Sequence, residues 1–322
     1  MMLRARDKAD LYEQLAGLLE AGVPISRAVG MLRDRMARGA ARSAIGHCSA
    51  RMSKGETLSA AMLAEPRAWE AFESSVVAAG EEAGRLVPLA RELGRYWRKM
   101  DETRRRILAG LVYPLLILHV AILAGSVPAA VAGGMGAYTR VVVVSLGVLY
   151  AMLWFLWELG NSAAGMLLCS HLPVVGTARS SLRGLRFALC LRLQVEAGIP
   201  ILTALPRAAR AAGGVSLGSR ADAAVSRLRT GEPVAEVLPT LFAEDQRLTS
   251  LLATGVESGR IVGVLRAIEE DAAARWGESM ALLQVWLPRM VYFAAMAFAV
   301  WQVARLAAGV YGAYGEAASL EW

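Results

Sequence analysis

The chain has 322 residues, of which 56% are hydrophobic and 20% charged. Ordinary soluble domains hold roughly 45–50% apolar residues, so this composition with 35 basic and 28 acidic side chains excludes both an ordinary soluble globule and a chain lying wholly in lipid. It implies membrane spans joined to water-soluble parts, and it excludes disorder for want of polar bias and a disulfide scaffold for want of cysteine, since Cys48, Cys169 and Cys190 are few and dispersed.

Residues 1–106 read as a helical domain. The start, MMLRARDKAD, turns amphipathic rather than apolar, so no signal peptide is expected. Leu11, Leu15, Leu18 and Leu19 recur at helical spacing behind Asp10, a plausible N-cap, and Gly22 ends the pattern. Pro24 suits the first turn of a following helix, where its missing N–H is not needed. Lys54-Gly55-Glu56 is a second corner, and Gly80 to Leu86 holds a third with Gly84 as its break. About five or six short helices result, which suits a compact bundle.

Residues 107–127 form the first expected span, with His119 its main polar interruption; 21 residues cover a hydrocarbon core of ~30 Å at ~1.5 Å per residue. Residues 128–140 are expected to be a short periplasmic loop. Residues 141–159 form the second span, with Trp154 and Trp157 placed for an interfacial belt. Residues 160–280 read as a second helical domain and 281–309 as a third span, in which Arg289 and Arg305 snorkel to opposite interfaces. Residues 310–322 are the expected periplasmic tail.

The basic residues decide orientation. Arg95 to Arg106 carries six of them in twelve positions, and Arg179, Arg183 and Arg186 follow the second span. By the positive-inside rule both helical domains are expected to be cytoplasmic, with residues 128–140 and the C-terminus on the outer side. The charge of +7 is thereby explained by lipid orientation, and no nucleic-acid partner is expected.

The two halves repeat one another. Glu20-Ala-Gly22-Val-Pro24-Ile returns as Glu196-Ala-Gly198-Ile-Pro200-Ile, an offset of 176. Gly55-Glu56 returns as Gly231-Glu232. Gly80-Glu-Glu82-Ala-Gly84-Arg-Leu returns as Gly255-Val-Glu257-Ser-Gly259-Arg-Ile. Tyr113-Pro114 returns as Leu287-Pro288. The expected fold class is therefore an all-α membrane protein with two repeated cytoplasmic helical bundles and three transmembrane helices. The glycines and prolines are first explained by turn geometry. Glu82 and Glu257 fit either a cap on a neighbouring helix end or a partner contact.

Chemical equipment is sparse. No G-x-x-x-x-G-K-[ST] loop, H-E-x-x-H, C-x-x-C or G-x-S-x-G occurs, so no enzyme activity and no cofactor or metal are expected. Gly213 to Gly218 reads as a loop, and Cys169 and Cys190 read as buried thiols. His119 suits an interhelical hydrogen bond and Arg289 an interfacial anchor. A transporter or channel subunit is the alternative reading, motivated by the polar residues within the spans. Gly309, Gly312 and Gly315 fit either close approach between chains, as in a dimer, or a flexible tail.

The segment Phe187-ALCLRLQVEAGIPILTAL-Leu205, preceded by His171-Leu-Pro-Val-Val-Gly176, resembles the start of the second domain in the type II secretion F family. The segments at 80–86 and 255–261 resemble that family's other hallmark. The likeness covers nearly the whole chain, although Glu81-Glu82-Ala-Gly84 departs from the more usual Glu-x-Ser-Gly and the N-terminal region is short. The resemblance implies an inner-membrane platform protein of a type II secretion system or type IV pilus. The implied partners are a hexameric assembly ATPase, pilin or pseudopilin, other inner-membrane assembly proteins and the lipid bilayer.

Overall fold

The computed structural model describes residues 3–36, 39–161, 173–213, 215–242, 249 and 261–319. Every regular element among them is helical. The helices are α1 (Ala5–Glu20), α2 (Ile25–Arg35), α3 (Ala40–Met52), α4 (Leu58–Leu63), α5 (Ala71–Glu82), α6 (Leu86–Gly125), α7 (Val127–Asn161), α8 (Pro173–Glu196), α9 (Ile201–Ala212), α10 (Val215–Arg229), α11 (Val234–Val237) and α12 (Ile261–Ser319), with a 3-10 turn over Leu238–Phe242. The chain divides into two compact units, residues 1–103 with 178–277, and residues 104–177 with 278–322. Helices α6 and α12 contribute residues to both.

The first unit holds one contiguous apolar core drawn from both helical bundles. In the N-terminal bundle Tyr12, Leu15, Leu32, Met62, Phe72 and Leu93 are fully buried; in the second, Phe187, Leu191, Leu205, Leu238 and Leu241 are. The helical spacing of Leu11 and Leu15 places both on the inward face of α1. Full burial of each such side chain is worth about 1.5–3 kcal/mol, which is what holds short helices that would not persist alone.

Asp10 does not cap α1. The helix begins five residues earlier, and Asp10 is an exposed interior residue 3.8 Å from Arg6 one turn back. The apolar face extends to Ala9 and Leu3, so packing carries the helix through the polar residue expected to start it.

In the second unit, residues 128–140 are helical and not an irregular loop. The one departure from helical backbone inside α7 is Gly134, with φ 72° and ψ −175°. A left-handed φ is open to glycine without a Cβ clash, so the bend falls there while the flanking backbone keeps its own helical hydrogen bonds. Among the described residues two helices are long and apolar enough to cross a membrane: α6, and the Gly133–Ala151 part of α7. Pro114 lies inside α6 and Pro288 inside α12. Backbone helicity in α12 continues to Ser319, through the positions expected to be a tail.

A small apolar cluster of Leu118, Ile122 and Leu149, with Leu146 and Val291 against it, draws on α6, α7 and α12. The outward faces carry exposed Val112, Leu116, Val120, Val144, Val148, Phe293 and Val300. Such faces are costly in water and suited to lipid.

Candidate functional site

The corners singled out in the sequence share a backbone geometry. At the end of α1, Gly22 has φ 79°, its N–H donates to Leu19 O at 3.0 Å, and Val23 N–H donates to Leu18 O at 3.0 Å. At the end of α8, Gly198 has φ 87°, its N–H donates to Val195 O at 2.9 Å, and Ile199 N–H donates to Gln194 O at 3.0 Å. Both are Schellman closures, in which a left-handed glycine lets the chain satisfy the last helical carbonyls. Pro24 and Pro200 then stand as N-caps of α2 and α9. Gly55 and Gly231 both have φ 91° and close α3 and α10 in the same way.

Glu20 and Glu196 each receive an arginine from a later helix. Glu20 is bonded to Arg91, and Glu196 lies 3.4 Å from Arg266. Glu56 and Glu232 each receive an arginine from before the corner, Arg51 and Arg227, both with Nε to Oε2 at 2.8 Å. The arginines were absent from the sequence reading. The signal existed, because Arg51 and Arg227 stand 176 apart, as Glu56 and Glu232 do, and Arg91 and Arg266 stand 175 apart, one less than Glu20 and Glu196.

The Gly80 to Leu86 segment separates two roles that the sequence assigned to one residue. Glu81, not Glu82, caps the neighbouring helix. Its carboxylate accepts from Leu58 N–H at 2.7 Å, Ser59 N–H at 3.1 Å and the Ser59 hydroxyl, at the start of α4. Carboxylates stabilise helix N-termini because the first N–H groups have no intrahelical acceptor. Replacing Glu81 with Ala should destabilise the folded protein by about 1 kcal/mol, read as a lowered midpoint in thermal unfolding of the detergent-solubilised chain. Glu82 instead reaches across to the second bundle and pairs with Arg207 at 2.6 Å, with about half its side chain in solvent.

Gly80 is needed for close approach: a Cβ there would stand 2.9 Å from Leu86 Cδ2 and 3.2 Å from its Cα. Gly84, φ 65°, makes the turn between α5 and α6. Gly255, Glu257 and Gly259 lie outside the described residues.

Beside the shared apolar core, polar pairs also cross between the two bundles. Arg186 of α8 lies 2.6 Å from Glu70 and donates through Nε to the Tyr96 hydroxyl at 2.8 Å. Arg192, nearly buried, meets Glu269 at 2.7 Å, Glu196 at 3.1 Å and Glu92 at 3.8 Å. Burial pushes the Glu269 carboxyl above the usual range, and Arg192 opposes that. A cleft of about 200 Å³ opens beside this group, lined by Arg85, Arg91, Glu92, Arg95 and Glu196 among others.

One buried ion pair had no sequence signal. Lys8 and Glu73, 2% and 0% exposed, are bonded inside the N-terminal bundle. Glu73 also accepts from the Tyr12 hydroxyl at 2.7 Å and from Glu70 N–H at 3.0 Å, and the Lys8 ammonium stands 4.2 Å from the Trp97 ring centroid. Burial pushes the Glu73 carboxyl up while Lys8 and these donors hold it down. Burial and the adjacent Glu73 push the Tyr12 phenol well above its ordinary value.

Cys48 and Cys190 are buried free thiols, each pushed up to about 11 by burial. Since only the thiolate is strongly nucleophilic, neither should react with maleimide at pH 7 until the protein is unfolded, as counted by mass spectrometry. Cys169 lies outside the described residues.

In the second unit His119 is held at both ring nitrogens, Nδ1 at 2.7 Å from Leu115 O and Nε2 at 3.0 Å from the Tyr150 hydroxyl. A carbonyl only accepts, so Nδ1 carries the proton and Tyr150 donates to Nε2. This joins α6 to α7. The Arg289 guanidinium stands 5.6 Å from the Trp286 ring centroid. Among the described residues no three His, Cys, Asp or Glu side chains converge as a metal site.

The geometry is that of paired helix corners, inter-bundle ion pairs and apolar outer faces. The family model "Type II secretion system (T2SS), protein F" matches residues 11–132. Type II secretion system protein F of Pseudomonas aeruginosa is 25% identical, covering 90% of this chain and 79% of the relative. The protein of that name in Aeromonas hydrophila is 24% identical over 81% and 74%. The type IV pilus assembly protein TapC of Aeromonas hydrophila is 23% identical over 83% and 71%. The motifs, the family model over residues 11–132 and relatives aligned over most of the chain point the same way: the chain is similar to proteins of the type II secretion F family, which its own residues resemble.

Proposed function

We propose that this chain is the inner-membrane platform protein of a type II secretion or type IV pilus machine. Relatives carrying both kinds of name align over more than four-fifths of the chain, and that observation carries the reading. In this proposal the chain crosses the membrane three times, at residues 107–127, 141–159 and 281–309. Residues 1–106 and 160–280 are copies of one bundle in the cytoplasm, and the C-terminus is periplasmic. The matched Schellman corners at Gly22 and Gly198, and at Gly55 and Gly231, support the repeat. The arginine distribution supports the orientation.

The mechanism we propose is mechanical. The bundles engage a hexameric assembly ATPase, and its motion is passed along helices that run without a break from bundle to span. The spans then act on pilin or pseudopilin leaving the bilayer, with other inner-membrane assembly proteins and a second copy of this chain as further partners. Glu82, half-exposed on the seam, and its counterpart Glu257 are proposed partner contacts. No activity of the chain's own is needed.

A cell lacking this chain should lose pilus assembly or secretion, and the full chain supplied in trans should restore it. Site-specific crosslinkers at exposed positions of the bundles should capture the assembly ATPase in the complemented strain. Intact fibres and secretion in the deletion strain would overturn the reading. A transporter role lacks an observation in its favour, because His119 is engaged at both nitrogens.

A further inference from the structure

In the second unit α6 and α12 run parallel. A Cβ built on Gly110 would lie 3.8 Å from the Pro288 ring and 4.0 Å from Gln284 O, and the Tyr113 and Tyr292 ring centroids are 6.0 Å apart. At ~1.5 Å per residue, Arg104, Arg105 and Arg106 of α6 come within about 10 Å of the Gly110 level along the axis. Arg289 of α12 follows directly on Pro288, the residue at that level. All four arginines are exposed. Trp286, 52% exposed, lies beneath the Arg289 guanidinium.

After Arg106 α6 turns apolar and stays exposed at Leu108 and Val112, and α12 is apolar and exposed on both sides of Arg289, at Leu282, Val285, Met290 and Phe293. On α6 a charged, exposed turn adjoining an apolar, exposed turn marks the depth where headgroups meet hydrocarbon, and Arg289 is the cation of the parallel helix nearest that depth. Among the described side chains, the exposed carboxylates of the second unit on α7 and α12 are Glu158 and Glu278. Asp101 and Glu102 stand one turn before the arginines on α6, with Lys99 beside them, so five cations stand against four carboxylates and the balance is positive by one.

We infer that this corner of α6 and α12 is a binding site for the phosphate headgroups of anionic phospholipids, with Arg104, Arg105, Arg106 and Arg289 as the phosphate donors and Trp286 as the interfacial platform. Guanidinium forks match phosphate oxygens bidentately, and arginine also stacks on aromatic faces. Clustered basic residues beside a membrane helix attract anionic lipid over zwitterionic lipid. The acyl chains of the same lipid would lie on the exposed apolar turns, which is why a lipid fits and a free anion does not. The inference rests on the reading of α6 and α12 as membrane spans.

The full chain, reconstituted in nanodiscs, tests it with brominated lipids that quench tryptophan. Brominated phosphatidylglycerol should quench several-fold more strongly than brominated phosphatidylcholine at equal mole fraction. The preference should vanish in R104Q/R105Q/R106Q/R289Q and survive in the corresponding four-lysine variant. W286F should lose most of the differential quenching while native mass spectrometry still finds phosphatidylglycerol retained. Inorganic phosphate should not displace it, and full displacement would make this a soluble-anion site and overturn the proposal. Equal quenching by both lipids, or a preference untouched by the four glutamine substitutions, would also overturn it. Arginine-dependent binding of polyglutamate without lipid preference would reassign the corner to an acidic protein. Failure of the wild type to insert into phosphatidylcholine discs would instead overturn the reading of the spans.

Discussion

Replacing Glu73 with Ala should cost the folded protein about 3–5 kcal/mol, the range for removing one member of a buried ion pair. The reason is the group left behind. Lys8 is 2% exposed and has the Glu73 carboxylate as its counter-charge inside the bundle. The Trp97 ring face, 4.2 Å away, is a weaker partner. Tyr12 would also lose its acceptor. Replacing both charges, Lys8→Met with Glu73→Leu, should recover most of the loss, because the desolvation penalty then disappears with the attraction. Thermal unfolding of the two single variants and the double variant forms a cycle that separates the pair's own worth from the cost of an orphaned charge. A single variant as stable as wild type would show that the pair is not closed in solution.

The second large effect is at Arg192. Replacing it with Ala removes the guanidinium that faces Glu269, Glu196 and Glu92, and should destabilise the first unit by about 2 kcal/mol or more. The loss should depend on pH in a definite direction. Burial already raises the Glu269 carboxyl, and Arg192 is the main group opposing that rise. Without the arginine the folded-state value rises further. A carboxyl raised in the folded state contributes stability that is present below its unfolded value, about 4.3 for glutamate, and lost as pH rises through the folded value. The gap between variant and wild type should therefore be largest near neutral pH and shrink as pH falls toward 4. Unfolding midpoints across that range check it; a gap that widens on acidification would contradict the assignment.

Much of the local architecture was legible before any coordinates. Gly22, Gly55, Gly84, Gly198 and Gly231 all adopt the left-handed conformation their sequence contexts required. They were readable because a helix end needs a residue without a Cβ where φ turns positive, and an adjoining proline marks the next start. His119 was readable as an interhelical hydrogen-bonder because a lone polar ring on an apolar helix must find a partner there. Where sequence reading failed, a stronger force intervened. Asp10 has the chemistry of a cap, but the apolar face continued past it and packing moved the helix start to Ala5. Residues 128–140 have the glycines of a loop, but only Gly134 departs from the helix.

By itself the sequence determined the helical class, the corners and the family likeness, because each depends on residues near one another along the chain; against the three spans expected, two helices among the described residues are apolar enough to cross a membrane. Tertiary structure decided the rest. It selected Glu81 as the cap and turned Glu82 toward Arg207, although the two are identical and adjacent. It set Lys8 against Glu73, 65 positions away, and gathered three glutamates from α6, α8 and α12 around Arg192. Such pairings follow from which helix faces meet when the apolar core closes. Apart from Arg192 and Glu196, four positions apart on α8, no spacing rule within a single helix can specify them.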